Sequence, residues 1–216
     1  MPPSSSSLAE AKIETERPWK PMPPRAVARL FGAYPGRWWI AGGWSLDLFL
    51  GHPTRDHEDV DVLILRDDLP HIPATLPGWT MLGWEWWNEP TTFQRWVPGE
   101  TLDPRIHDIW CRPPGAETWR FQLMVMPSDG DRWVFRRDER ISGPFSQLSD
   151  VRDGIPVIAP ELQLLFKARV PHRDKDAADL RRMIPRLSAS RQAWLREHVD
   201  LLYPDSPALE LLDGHR

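Results

Sequence analysis

Hydrophobic positions along the chain change period twice. From residue 24, Pro-Arg-Ala-Val-Ala-Arg-Leu-Phe opens on a proline suited to a first helical turn, and Val27, Leu30 and Phe31 fall on one helical face. Pro35 and Gly36 stop that helix. An apolar run at 38–41 predicts a strand, which leads straight into Gly42-Gly43 and a short helix over 44–50 closed by Gly51. After a polar loop at 52–58 comes the most regular strand pattern in the chain, 59–65. There Asp59 and Asp61 share one face with Leu63 and Leu65, while Val60, Val62 and Ile64 point the other way. A proline-broken helix over 67–76 follows.

Period two then holds to about residue 137. Alternating segments at 80–87, 92–97, 106–112, 119–126 and 132–137, separated by Pro, Gly and Asn-Glu-Pro, predict antiparallel strands and hairpins. From residue 159 helical spacing returns, over 161–167, 174–184, 188–202 and 207–212. The fold class expected is α+β (mixed α/β). A sheet with flanking helices occupies 24–154, and a small helical domain occupies 155–216. Residues 1–23 carry a serine run and Pro-rich ends without a hydrophobic period, save a short helical stretch at 8–16, and are expected to form a flexible tail.

Composition changes this picture little. Twenty-four prolines are about twice the ordinary share, but 13 tryptophans argue for a packed protein, because disordered chains are poor in aromatics. Lys and Arg total 27 against 31 Asp and Glu, a net charge of −4. The absence of a basic excess speaks against a nucleic-acid or anionic-membrane binder. A lone cysteine, Cys111, cannot form an internal disulfide, which fits a reducing compartment. With no apolar run of membrane-spanning length and no signal-peptide pattern, a cytoplasmic location is expected.

The candidate chemistry lies between residues 40 and 65. Two carboxylates side by side on a rigid strand repel each other unless a cation neutralises them, and hard divalent ions take one or two carboxylates together with phosphate oxygens. A strand that ends in Gly42-Gly43 and opens a helix lets backbone approach a ligand closely, and helix-end N–H groups favour phosphate. Each half alone has a plain reading, as a solvated strand start or a tight turn. Together they describe a site for a nucleoside triphosphate and a metal.

Gly42-Gly43-Trp44-Ser45-Leu46-Asp47, Gly51 and Thr54-Arg55-x-His57-x-Asp59-Val60-Asp61 resemble the signature of small antibiotic nucleotidyltransferases. The similar groups are the aminoglycoside 2″-adenylyltransferases and lincosamide nucleotidyltransferases of the polymerase-β-like superfamily. A second block, 155–167 with Lys175, Asp176 and Asp179 downstream, resembles the start of their helical half, so the resemblance spans roughly 25 to 185. It implies a metal-dependent transfer of a nucleoside monophosphate from an NTP, ATP first, to a hydroxyl of a small acceptor such as an aminoglycoside-like compound. It also implies the roles. Gly42 and Gly43, with Trp44 and Ser45 of the same turn, hold the triphosphate; Asp59 and Asp61 bind one or two Mg²⁺ ions. Arg55 and His57 support phosphate charge, and Lys167 reaches the triphosphate from the helical half.

One departure stands out. The family supplies a third carboxylate from a later strand, where this sequence has Gln122; Asp108, on the neighbouring strand, is the nearby substitute as a catalytic carboxylate. The alternative is therefore a catalytically impaired module that binds nucleotide or a partner. A third reading is an enzyme acting on RNA or protein; the charge balance counts against RNA. Asp47, inside an apolar helix, reads as a structural partner for the 55–57 loop, and Lys175, Asp176 and Asp179 read as ion-pair formers. Trp79, Trp84, Trp86, Trp87, Trp96, Trp110, Trp119 and Trp133 read mostly as core, with some left to line an acceptor pocket. Glu85, Glu89 and Glu100 would suit a cationic acceptor, although each singly reads as surface charge.

Overall fold

The computed structural model describes residues 14–85, 92–97, 99–169 and 173–214. In chain order the strands are β1 (Trp38–Ala41), β2 (Asp61–Leu65), β3 (Thr80–Glu85), β4 (Thr92–Arg95), β5 (Asp108–Arg112) and β6 (Phe121–Met126). Three short strands follow, β7 (Ser128–Asp129), β8 (Arg132–Val134) and β9 (Ser142–Pro144), then β10 (Ser149–Arg152) and β11 (Ile155–Ile158). Eight of them form one mixed sheet in the order β10-β11-β1-β2-β6-β5-β3-β4, and β7-β8-β9 form a small sheet of their own. Within the large sheet β1 runs parallel to β11 and β2 parallel to β6; the other neighbours are antiparallel.

The helices are α1 (Pro24–Leu30), α2 (Gly42–Leu50), α3 (Ile72–Thr75), α4 (Pro160–Lys167), α5 (Asp174–Met183), α6 (Ala189–Leu202) and α7 (Ala208–Asp213). Strand alternation decides which of them each face meets. Leu63 and Leu65 of β2 and Met124 and Met126 of β6 pack with Leu162, Leu165, Met183, Leu195 and Val199 of the C-terminal helices. Val62, Ile64, Leu123 and Val125 face the other way, into a core with Val27, Phe31, Ile72 and Leu76. The residues of β2 that continue the Asp61 face are thus the ones the helical half covers. Among the described residues no helix is long and apolar enough to cross a membrane.

Three sequence expectations shift. β2 begins at Asp61, so Asp59 belongs to the loop before it. The segment 155–158, expected to open the helical domain, is instead strand β11, inserted between β10 and β1. The sheet therefore ends at residue 158, and the helices beyond share a core with it. Residues 14–23, assigned to a flexible tail, are docked: Trp119 N–H donates to the Pro18 carbonyl, Lys20 N–H to that of Trp119, and Met22 N–H to that of Arg120. The period rule missed this segment because backbone hydrogen bonds, not an apolar stripe of its own, fix it. Residues 1–13, most of the helical stretch expected at 8–16, and Trp86, Trp87 and Glu89 lie outside the described residues.

Candidate active site

The β1–α2 junction is built around Gly42. It adopts φ +65°, a left-handed conformation that side chains strain, and a Cβ there would run into the Asp61 carboxylate, 3.0 Å from its Cγ. The cause is register: Ala41 on β1 is paired with Asp61 on β2, so the next residue passes over the carboxylate. At Gly43 a Cβ would strike the Arg55 guanidinium and come within 2.6 Å of the His57 ring. The glycine pair thus lets the turn lie against a carboxylate on one side and a basic loop on the other.

That loop is fixed from behind by Asp47. The buried Asp47 carboxylate accepts from Thr54 N–H at 3.0 Å and from the Thr54 hydroxyl at 2.6 Å, and it meets His57 Nε2 at 2.6 Å. Burial pushes the Asp47 carboxyl up, but the bonds from His57 and Thr54 outweigh it and hold the group below its ordinary value. Trp44 stacks on His57 at 4.4 Å, and Ser45, 1% exposed, donates its hydroxyl to the Gly42 carbonyl at 2.8 Å. Trp44, Ser45 and His57, expected at the nucleotide, are absent from the described residues that line the cavity. They brace the turn and the loop beside it. One helix-end donor is also engaged: Gly42 N–H donates to Gln163 Oε1 at 2.8 Å, so a phosphate would meet the donors from Gly43 onward.

In front of the turn opens a cavity of about 780 Å³, lined by Gly42, Gly43, Arg55, Asp59, Asp61, Asp108, Gln122 and Lys167 among others. Sheet register gathers the carboxylates. Asp61 is paired with Gln122 on β6, which is in turn paired with Trp110 on β5, two residues along from Asp108. Gln122 donates through Nε2 to Asp108 Oδ1 at 3.0 Å and accepts from Trp110 Nε1 at 2.9 Å; Arg136 also donates to Asp108 Oδ1, at 2.9 Å. Burial, with the charges of Asp59 and Asp108, pushes the Asp61 carboxyl up to about 8, although Lys167 and Arg136 oppose the shift.

The helical half supplies cations. Lys167 is buried at the cavity wall, where its ammonium meets Asp176 Oδ1 at 2.8 Å and Asp179 Oδ2 at 3.0 Å. Lys167 therefore reaches the cavity with its charge shared between two carboxylates of α5. Lys175 pairs with Glu58 at 3.2 Å, and Asp179 also meets Arg55 at 3.4 Å and Arg182 at 3.2 Å, as the ion-pair reading expected.

Against this geometry the comparisons are specific. The sequence matches the family model of the aminoglycoside-2″-adenylyltransferases over residues 25–183. The chain belongs to that family. It is a nucleotidyltransferase. A lincosamide resistance protein of Staphylococcus haemolyticus is 25% identical to it over 155 residues, covering 68% of this chain and 83% of that protein. The crystal structure of ANT(2″)-Ia in complex with adenylyl-2″-tobramycin superposes with a TM-score of 0.54 at 16% identity, over 83% of this chain and 95% of that one. The solution structure of ANT(2″)-Ia gives 0.52 at 16% identity, over 97% and 99%. At those identities the structural likeness speaks for the nucleotidyltransferase fold.

Several lining residues of this family member escaped the sequence reading. Gln163 is a polar residue inside the apolar run Leu162-Gln163-Leu164-Leu165, a pattern that signals a buried hydrogen-bonding task. Arg136, Arg137, Arg169 and Arg173 also line the cavity, on segments whose spacing gives no such signal. Trp19 lines it too, from outside the span that matches the family.

Proposed function

We propose that the protein transfers a nucleoside monophosphate from Mg²⁺-bound ATP to a hydroxyl of a small acceptor held in the cavity. The observation that carries this reading is the packing of Gly42 against Asp61. The phosphate-binding turn and a metal-binding carboxylate are so close that one methyl group would separate them. Arg55 adds a second: its guanidinium lies against Gly43 and lines the cavity, where it can meet phosphate oxygens.

The residues fit the metal. Asp59 and Asp61 both line the cavity and offer a pair of hard oxygen ligands, the one or two carboxylates that Mg²⁺ takes together with phosphate oxygens. They would hold Mg²⁺, which when bound neutralises charge on the carboxylates and the phosphates and eases attack by an oxygen nucleophile. The chain's own residues do the rest. The Gly42–Gly43 turn and Arg55 orient the triphosphate, with Lys167, Arg173 and Lys175 adding positive field from the helical half. Asp108 takes the acceptor hydroxyl proton. As the acceptor oxygen bonds to the α-phosphorus, the bond from that phosphorus to the bridging oxygen breaks and pyrophosphate leaves. Gln122 and Arg136 both bond Asp108 at Oδ1, which fixes the carboxylate and leaves Oδ2 for the proton. Family membership makes an aminoglycoside-like compound the reference acceptor.

A second reading draws on the ion pair between Arg136 and Asp108, at 2.9 Å, beside a Gln122 that cannot ionise. Gln122 and Arg136 both occupy Asp108, an arrangement that would suit a module that binds nucleotide without transferring it. Thermal shift with ATP, GTP, CTP and UTP, each with and without Mg²⁺, tests the donor site on wild type and the Asp59→Ala/Asp61→Ala variant. A Mg²⁺-dependent shift that the double variant loses supports the site; no shift with any nucleotide refutes it. Pyrophosphate release that Asp108→Asn abolishes then separates the enzyme from the silent binder.

A further inference from the structure

We propose that the acceptor is a neutral or anionic hydroxyl compound with a flat, aromatic or apolar body, held by Trp19, Trp84 and Trp110, and that the segment 14–22 selects it. This rests on the nucleotidyl-transfer reading and replaces the aminoglycoside-like acceptor that family membership suggests.

The aromatic wall grows from the same register that gathers the carboxylates. Moving across the sheet from Asp61, one face presents Gln122 on β6 and Trp110 on β5, while Trp84 on β3 is paired with Asp108. Neighbouring strands lie about 4.8 Å apart, so Trp110 stands roughly 10 Å from Asp61, a separation that an acceptor bridging the two can span. Trp84 meets Trp110 at 4.7 Å and 69°, and Trp19 meets Trp110 at 5.3 Å and 81°. Rings set so steeply to one another form a concave wall, not a flat stack. All three are half-buried and line the cavity, so each keeps surface available to a ligand.

Aromatic faces attract cations as well as apolar bodies, so the wall alone does not choose. The surrounding charge does. Asp108, the carboxylate on this side of the cavity, is already paired with Arg136, and Arg137 and Arg169 line the cavity as well. The other lining carboxylates belong to the donor side, where Asp176 pairs with Lys167 and Arg173, and Glu58 with Lys175. Among the described residues, a polycation would meet guanidinium groups here and, in Asp108, a carboxylate already paired, while Asp59 and Asp61 would be taken by the metal. Glu100, weighed from sequence as a partner for a cationic acceptor, is exposed and lies outside the cavity lining, and the Glu85 side chain and Glu89 fall outside the described residues.

Trp19 is placed by the backbone hydrogen bonds of its own segment. The segment that bears it precedes the family-matched span and is stitched to Trp119 and Arg120 by three backbone hydrogen bonds. The Glu14 carbonyl accepts from Trp119 Nε1 at 3.0 Å, and the Glu14 carboxylate meets Arg112 at 3.1 Å. The segment thus adds one wall to a shared scaffold without touching the Gly42 turn.

The test is calorimetric, on the full chain with Mg²⁺ and a non-hydrolysable ATP analogue. Three probes are titrated: phenyl β-glucoside, 3-(4-hydroxyphenyl)propionate and tobramycin. At least one aromatic probe should bind tenfold more tightly than tobramycin. Trp19→Ala should weaken that probe at least tenfold, Trp19→Phe should restore most of the affinity, and the ATP analogue should bind both variants as it binds wild type. Tobramycin binding best, neither aromatic probe binding, or Trp19→Ala leaving aromatic affinity intact would each overturn the proposal. An analogue that fails to bind wild type condemns the donor site instead, and the two failures read out separately. Circular dichroism melting of Trp19→Ala distinguishes a lost wall from a lost fold.

Discussion

Replacing Gly42 by alanine tests the site with a single methyl group. Two costs arise. A left-handed conformation at a non-glycine residue costs about 1–2 kcal/mol, and Gly42 has φ +65°. The new Cβ would also lie 3.0 Å from Asp61 Cγ and overlap the nearer carboxylate oxygen. Carbon atoms at rest lie about 3.5–4.0 Å apart, so the carboxylate must retreat by about 0.5–1 Å, and its oxygen by more. The strand cannot move with it, because β2 is laddered to β1 on one side and β6 on the other. The side chain must turn away from where it stands beside Asp59. A misplacement of about 1 Å at reacting groups costs about 10²-fold in rate. Turnover, read as nucleotide-dependent pyrophosphate release, should therefore fall about 100-fold, while the melting temperature drops only by about 2–8 °C. Gly51→Ala is the control: φ is +83° and nothing lies within 4 Å of its Cβ, so it should share the melting shift and keep full turnover. If Gly42→Ala keeps turnover within threefold of Gly51→Ala, the contact with Asp61 has no catalytic meaning.

Other variants probe other parts of the same construction. Asp47→Ala removes the acceptor for Thr54 and His57 and should lower stability by about 1–3 kcal/mol in urea unfolding. It should also weaken Mg²⁺–ATP, since Arg55 shares that loop; unchanged nucleotide affinity would show that the brace is structural only. Burial, helped by Arg136, lowers the His107 imidazole to about 4, below roughly 6.5 in the unfolded chain. The unfolded chain therefore takes up this proton first as pH falls. The stability contributed by the neutral ring is complete above pH 6.5 and is lost down to pH 4, about 3 kcal/mol in all. His107→Gln, whose amide can still donate to the Val125 carbonyl, should flatten that part of the pH–stability curve; urea unfolding at pH 7 and pH 4.5 that gives parallel losses in both proteins would refute it. Cys111, fully buried with its thiol pushed up by burial, should resist alkylation at pH 8 until the chain unfolds, and rapid labelling of the native protein would contradict that packing.

What could be read from sequence follows from how local each cause is. β1, α2 and the cap at Gly51 were legible because an apolar run, a glycine pair and a left-handed glycine act within a few residues. The alternation around Asp61 also held, with Leu63 and Val62 in separate cores. The start of β2 was not legible, since whether Asp59 is strand or loop depends on what pairs with it. Nor was β11, whose Ile-Pro-Val-Ile is a strand only because β1 and β10 flank it. Asp108 was singled out as a neighbour of Gln122, but the hydrogen bond between them needs the β5–β6 register to appear. Trp19 gave no signal of its own, because its place is set by carbonyl and amide groups a hundred residues away.

The brace behind Gly43 continues without a break into the helical half. Asp47 holds Thr54, Thr54 accepts from Arg182, and Arg182 shares Asp179 with Arg55 and Lys167. The Gly42–Gly43 turn, the basic loop and α5 are therefore one linked unit. Exchanging α5 alone would cut the links from Arg182 to Thr54 and from Asp179 to Arg55. The aromatic wall hangs instead from β3, β5 and the segment 14–22, across the sheet from that unit. On the proposed reading, exchange of a few indole rings there would change the acceptor while leaving the donor site untouched.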